Sequence, residues 1–265
     1  MFAPFMLHAW LLATIVALVS GSVGFFVVAR RAAFPAHALP LGAFPGAAAA
    51  SLIGVSQLLG LAVFCALGVL VISQLQRRER REVASALWLA LSLAAGMLLL
   101  SLSGVYAQSI NGLLFGQVLG ISREQLVSVA VLSGLALGVL ALCARPLLLD
   151  SLSGELAAAA LGRTARLEWV FLAILALSTA IAVPVVGALL VFSLMVGPAS
   201  AARAFTNRPW RALGVSAALS VVTVWSAIAL AYLTNWPVGL FVGLLGAACY
   251  VSGRLRSAGA VAQAG

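Results

Sequence analysis

Apolar residues fill long runs at 9–29, 46–75, 84–105, 126–144, 167–183, 186–203, 210–233 and 236–253, with polar residues confined to the short intervals between them. These runs approach or exceed the roughly 20 residues a helix needs to cross a bilayer. None alternates with the period of two that a membrane barrel strand requires. Backbone groups in hydrocarbon must also find partners within the chain, so the pattern predicts an all-α, polytopic membrane protein of about eight transmembrane helices. The longest polar interval, Gln74 to Glu82, is only a turn. Residues 1–265 therefore read as a single transmembrane domain, with a helical core over 9–253 and a cytoplasmic tail over 254–265. One stretch breaks the pattern after the first helix: FPAHALPLGAFPG, residues 34–46, carries a histidine, three prolines and two glycines. It predicts a broken, unwound segment, and residues 32–75 hold either that segment plus one span or two full spans.

Charge adds orientation. The chain is 64% hydrophobic and 8% charged, and its fifteen basic residues are all arginine against six carboxylates, a formal net charge of +9. The arginines gather at the ends of apolar runs (Arg77, Arg78, Arg80, Arg81; Arg203, Arg208, Arg211; Arg254, Arg256), where the positive-inside rule expects cytoplasmic loops. Arg30 and Arg31 fit that rule only if the first span also ends inside; otherwise they sit at an interface with bound anions. A nucleic-acid footprint would need charges and aromatics on one solvated surface, which this pattern lacks. Residues 9–29 read as a retained first span, and Cys65, Cys143 and Cys249, without metal-ligand spacing, read as buried free thiols.

Candidate chemistry is sparse. The two histidines are His8 and His37, no HExxH pair occurs, and no carboxylate lies in the interior of a predicted span, Glu168 standing at the very start of 167–183. Nucleophilic or metalloprotease catalysis thus has no constellation, and the acids that usually couple ions to secondary transport are missing. A secondary carrier using a broken helix remains the alternative reading. Glycines at 112, 116 and 120 place three small residues on one helix face, which suits close packing. Tight hairpins are expected at Ala182–Val185 and Thr234–Pro237. Between two spans lies LLLDSLSGELAAAALG, residues 147–162, a short helix-prone piece with Ser151 or Ser153 as N-cap and Gly162 as C-cap.

Taken in order, VVARRAAF with the broken segment up to Pro45-Gly46, LLFGQVLGISREQL at 113–126, the 147–162 segment, and VPVVGALLVFSLMVGPASAARAF at 183–205 resemble the membrane subunits of the zinc, manganese and iron ABC importers. The resemblance covers roughly residues 9–253. It implies the permease fold shared with vitamin B12 and siderophore importers, in the bacterial cytoplasmic (inner) membrane. It also implies a permease homodimer in membrane lipid, with cytoplasmic ATP-binding subunits and an extracytoplasmic substrate-binding protein. No Walker A loop is present, so this chain is expected to bind no cofactor and to be no enzyme, with ATP and magnesium on the partner subunit. Residues 147–162 match the family's cytoplasmic coupling helix, which assigns ATPase coupling to Asp150, Glu155 and Gly162.

The resemblance fails at one informative place. Where the family carries an aspartate and, four residues later, a histidine on the metal path, this chain carries His37 and Leu41. A cation stripped of water needs several donors, and imidazole suits late transition metals. His37 therefore has three readings: a metal-touching residue, paired with its twofold mate; a polar partner for a carbonyl freed by the prolines; or an interface residue. Pro40 and Leu41 accompany it on the expected substrate pathway. Gln117, where relatives often carry an acid, and Ser193 and Met195, before Gly197-Pro198, are the further pathway candidates.

Overall fold

The computed structural model describes residues 4–74, 78–103, 112, 115–116, 123–152, 165–206 and 208–264. These form ten helices: α1 (Pro4–Ala29), α2 (Ala33–Gly42), α3 (Phe44–Ile53), α4 (Gln57–Gln74), α5 (Arg78–Ser103), α6 (Arg123–Leu152), α7 (Ala165–Val186), α8 (Ala188–Phe205), α9 (Pro209–Thr234) and α10 (Val238–Ala264). With α2 and α3 taken together as one crossing, nine segments among the described residues are long and apolar enough to span a bilayer.

The ninth crossing comes from the region that the apolar pattern left open. The run 46–75 is not one helix: α3 ends at Gly54, whose φ of +79° is left-handed, and α4 begins after a gap of two residues. The amides of Gly54 and Val55 both donate to the Ala50 carbonyl, a glycine-terminated helix end. The chain then doubles back, and α3 packs on α4 with Gly46 and Gly60 face to face, so close that a Cβ on either would overlap the backbone of the other. At Gly54 itself a Cβ would meet nothing, so only the backbone conformation resists substitution. Gly54→Ala is expected to cost about 1 kcal/mol, with Gly54→Asn milder, read as thermal midpoints in detergent. Equal midpoints for all three proteins would refute this.

The proline-rich stretch departs from expectation in the opposite direction. Residues 34–46 are not unwound: α2 runs through Pro40 to Gly42, and only Ala43 separates it from α3. Pro45 sits in the first turn of α3, where the missing N–H is one that no helix would use. Pro40 removes just one bond, the one that would have closed on the Ala36 carbonyl, and bends the helix without ending it. In the same way Pro146 lies inside α6 and Pro184 inside α7. Residues 147–152 consequently belong to α6, and the Ser151 hydroxyl donates back to the Leu148 carbonyl rather than capping a new helix. The first outer hairpin turns at Gly187 (φ +95°), two residues beyond the expected site, whereas the second turns as expected at Asn235 (φ +58°). Gly116, with φ +80°, cannot continue a helix and instead lies against Val185 to Gly187, so a helical face does not run through it; Gly120 lies outside the described residues.

Contacts at the end of α1 orient the first span. Arg30 meets Asp150 at the end of α6, and the Arg203 guanidinium donates to the Val28 carbonyl at 3.2 Å. The α1–α2 turn therefore lies at the same end of the bundle as the ends of α6 and α8. Every arginine except Arg123 belongs in sequence to segments leading to that end. The positive-inside rule assigns this end to the cytoplasm, and Arg30 and Arg31 then conform to it.

Apolar on every side, these helices gain no direction from hydrophobicity, and small or hydroxyl residues decide which faces meet. α8 lies at the centre, packed by α1, α2, α7, α9 and α10. Gly24 of α1 seats on the Met195 backbone of α8, Gly197 of α8 on Gly246 of α10, and Gly21 of α1 on Ser216 and Ser220 of α9. The Ser216 hydroxyl donates to the Gly21 carbonyl at 2.6 Å, and Trp225 Nε1 to Thr14 Oγ1 at 2.8 Å, fastening α9 along α1. α6, by contrast, is mostly exposed on the outside of the bundle: only 22% of its span is buried, against 72% for α7.

Candidate substrate pathway and coupling base

α2 carries His37 into the bundle against α8. The imidazole meets the Phe192 ring edge-on, with centroids 5.1 Å apart and planes at 76°, and the residue is half-buried. Phe192 has no polar atom to offer, so this contact orients the ring while both nitrogens stay available to other partners. One residue before His37, the Ala36 carbonyl lacks its usual i+4 helical donor, because residue 40 is a proline. Pro40 itself is buried, as is Leu41. Leu41 joins the apolar core where a second ligand would have continued the His37 face.

Two of the remaining pathway candidates have other partners. Ser193 turns toward α10, its hydroxyl donating to the Gly243 carbonyl at 3.4 Å. Met195 is fully buried, a core residue at the α1–α8 crossing. Gln117 lies outside the described residues. Among those described, no three histidine, cysteine, aspartate or glutamate side chains come together as a cation site.

At the cytoplasmic end the coupling candidates resolve differently. Asp150, in the last turn of α6, pairs with Arg30 at 2.5 Å, the side chains 14% and 10% exposed. The Arg30 guanidinium also lies over the Phe171 ring of α7, 5.1 Å from its centroid. Glu155 and Gly162 fall outside the described residues. Beside the ion pair a cavity of about 170 Å³ opens between the ends of α1, α6 and α8 and the start of α9, lined by Phe25, Ala29, Leu148, Ser151 and Arg203 among others. Phe192 and Arg30 are the participants that sequence reasoning did not single out. Phe192 carried no chemical signal, and Arg30 was visible only as a topological charge.

A family model described as the ABC 3 transport family matches residues 2–256. The chain belongs to this family. Its relatives include the manganese import system permease protein ScaB of Streptococcus parasanguinis, 24% identical over 249 residues, covering 93% of this chain and 89% of the relative. The high-affinity zinc uptake system membrane protein ZnuB of Buchnera aphidicola is likewise 24% identical, over 231 residues, covering 86% of this chain and 88% of that one. Among solved structures, PsaBC from Streptococcus pneumoniae in complex with Fab superposes with a TM-score of 0.84 at 21% identity, covering 95% of this chain and 91% of that one. This ABC 3 family member has the ABC permease fold expected from the sequence and is a multi-pass protein of the bacterial cytoplasmic membrane. Its family is that of manganese, zinc and iron ABC transporter permeases, whose named cargoes differ between relatives of equal similarity to this chain.

Proposed function

We propose that this chain is the membrane subunit of an ATP-driven importer that passes a divalent transition metal from an extracytoplasmic binding protein to the cytoplasm. The match of one permease-family model to residues 2–256 carries this reading. ATP, with its magnesium, is bound and hydrolysed by separate cytoplasmic subunits, which dock on the segment between α6 and α7 that contains Glu155 and Gly162. The chain works as a homodimer, and the metal moves along the twofold axis. Two His37 imidazoles face each other there and contribute neutral nitrogens, supplemented by backbone carbonyls such as that of Ala36. Without the family's aspartate, this path compensates less of the ion's charge. It suits a site that the cation crosses rather than one in which it rests.

The test is uptake of manganese and of zinc into proteoliposomes holding the permease, its ATP-binding subunits and its binding protein. ATP-dependent accumulation of either metal is expected; uptake by the permease alone, driven by a proton or sodium gradient, would replace this reading with a secondary carrier. His37→Ala is expected to lower uptake at least about fivefold while the ATP-binding subunits still copurify, since an interaction lost from the path costs on the order of 1 kcal/mol or more. Normal uptake by that variant would assign His37 to packing against Phe192.

A further inference from the structure

Arg30 touches three elements that the chain keeps far apart. Its backbone ends α1, its guanidinium pairs with Asp150 two residues before α6 ends, and the same guanidinium covers Phe171 near the start of α7. α6 and α7 are the two stems of the cytoplasmic segment 153–164, so Arg30 holds both at once. A rigid turn also ties it to α2, the next helix along the chain. Arg31 adopts φ +54°, its amide donates to the Val28 carbonyl at 3.3 Å, and that of Ala32 donates to the Val27 carbonyl at 2.9 Å. This is a Schellman closure with arginine where glycine is usual, and it sets the angle at which α2 leaves. Arg203 holds the same turn from α8 through the Val28 carbonyl. His37 stands seven residues beyond Arg30, about two turns along the chain.

Packing alone does not call for these charges. An ion pair largely withdrawn from water is weak evidence for stability, and two apolar side chains of similar size would hold α6 against α1 as well. The pair does specify one register between the stems and the turn. Beside it the cavity leaves the end of α6 free of close packing against α8 and α9, so that end of α6 has room to shift.

We propose that Arg30, with Asp150 and Phe171, is a clamp that transmits movement of the 153–164 stems to the α1–α2 turn and so to the helix bearing His37. It acts as a positioning device and touches no substrate. The proposal rests on the importer reading for its driving force, the closure of the ATP-binding subunits.

The experiment uses the whole complex in lipid nanodiscs and proteoliposomes with manganese(II) as the probe cargo. The variant Arg30→Met/Asp150→Leu leaves no unpaired charge, and Phe171→Leu keeps the ion pair while removing the ring. Both are expected to assemble with the ATP-binding subunits. In the double variant, ATP hydrolysed per manganese imported should rise at least about fivefold, the low end of known coupling free energies, with a smaller rise for Phe171→Leu. A readout independent of cargo comes from a fluorophore on Ala33→Cys, in a background where Cys65, Cys143 and Cys249 are alanine. Its signal should change when ATP and vanadate are added to the otherwise unmodified complex, and the change should be lost in the double variant. An unchanged ATP-to-manganese ratio, or a probe that still responds fully in the double variant, would overturn the clamp. Should the double variant not assemble, Phe171→Leu decides by the same two readouts. A complex that moves no manganese, yet whose probe response disappears with the clamp, would count against the cargo assignment and for the clamp.

Discussion

Gly24→Leu is expected to abolish recovery of folded protein from the membrane fraction, whereas Gly134→Leu is expected to leave recovery unchanged. Both glycines lie within apolar helices, and hydropathy does not distinguish them. A Cβ at Gly24 would overlap the carbonyl oxygen of Met195, and the other atoms nearest to it are also Met195 backbone. No rotamer change can relieve that clash, so α1 would have to leave α8, the helix around which five others pack. A single inserted methyl that forces such a shift costs about 1–3 kcal/mol. Leucine adds three further carbons, and the total becomes comparable with the roughly 5–15 kcal/mol that typically holds a domain together. At Gly134 a Cβ would meet nothing within 4 Å, because that face of α6 is on the outside of the bundle. Size-exclusion profiles and thermal midpoints in detergent compare the two, with Gly24→Ala expected between them. A monodisperse Gly24→Leu protein with an unshifted midpoint would show that α1 and α8 do not cross as described.

The same two glycines mark what the sequence could and could not disclose. Helix ends flanked by arginine or by Trp-Pro were legible: α9 and α10 begin and end within a few residues of the apolar runs 210–233 and 236–253, apart from the extension of α10 past Arg256. Breaks inside apolar runs were not. Proline looked like a break at residues 34–46 yet bends a continuing helix at Pro40, because losing one hydrogen bond is tolerable when neighbouring helices exclude lipid. Glycine at 54 looked like one more small packing residue, yet it ends α3, since its φ of +79° is a conformation that periodicity does not encode. In the candidate site, His37 and the loss of its companion ligand at Leu41 were read directly. Phe192 was not, because an aromatic on an apolar helix announces nothing until the facing helix is known. Asp150 was read as a docking residue from its place beside the coupling segment. That it pairs with Arg30, 120 positions earlier in the chain, depends on the crossing of α1 and α6, which no local pattern contains.

That pairing carries the second large effect. Arg30→Met and Asp150→Leu are each expected to lower stability, by less than the roughly 3–5 kcal/mol of a fully buried pair, while the double variant Arg30→Met/Asp150→Leu stays close to the unmodified protein, because breaking a half-buried pair leaves a poorly solvated charge and removing both charges does not. Arg30→Met should be the worse of the singles. The Asp150 carboxylate sits on a short side chain, 14% exposed, and has little freedom to increase its contact with water. In Asp150→Leu the guanidinium keeps the Phe171 face, and its long stem can carry it toward the cytoplasmic surface beside the cavity. The resulting order of thermal midpoints in detergent is therefore unmodified protein and double variant together, then Asp150→Leu, then Arg30→Met. Additive losses, with the double variant lowest, would mean that the two side chains act independently and that their contact contributes no specificity. The predicted order also separates the two roles of the pair: a double variant as stable as the parent but poorly coupled can only have lost transmission, because its packing and assembly are intact.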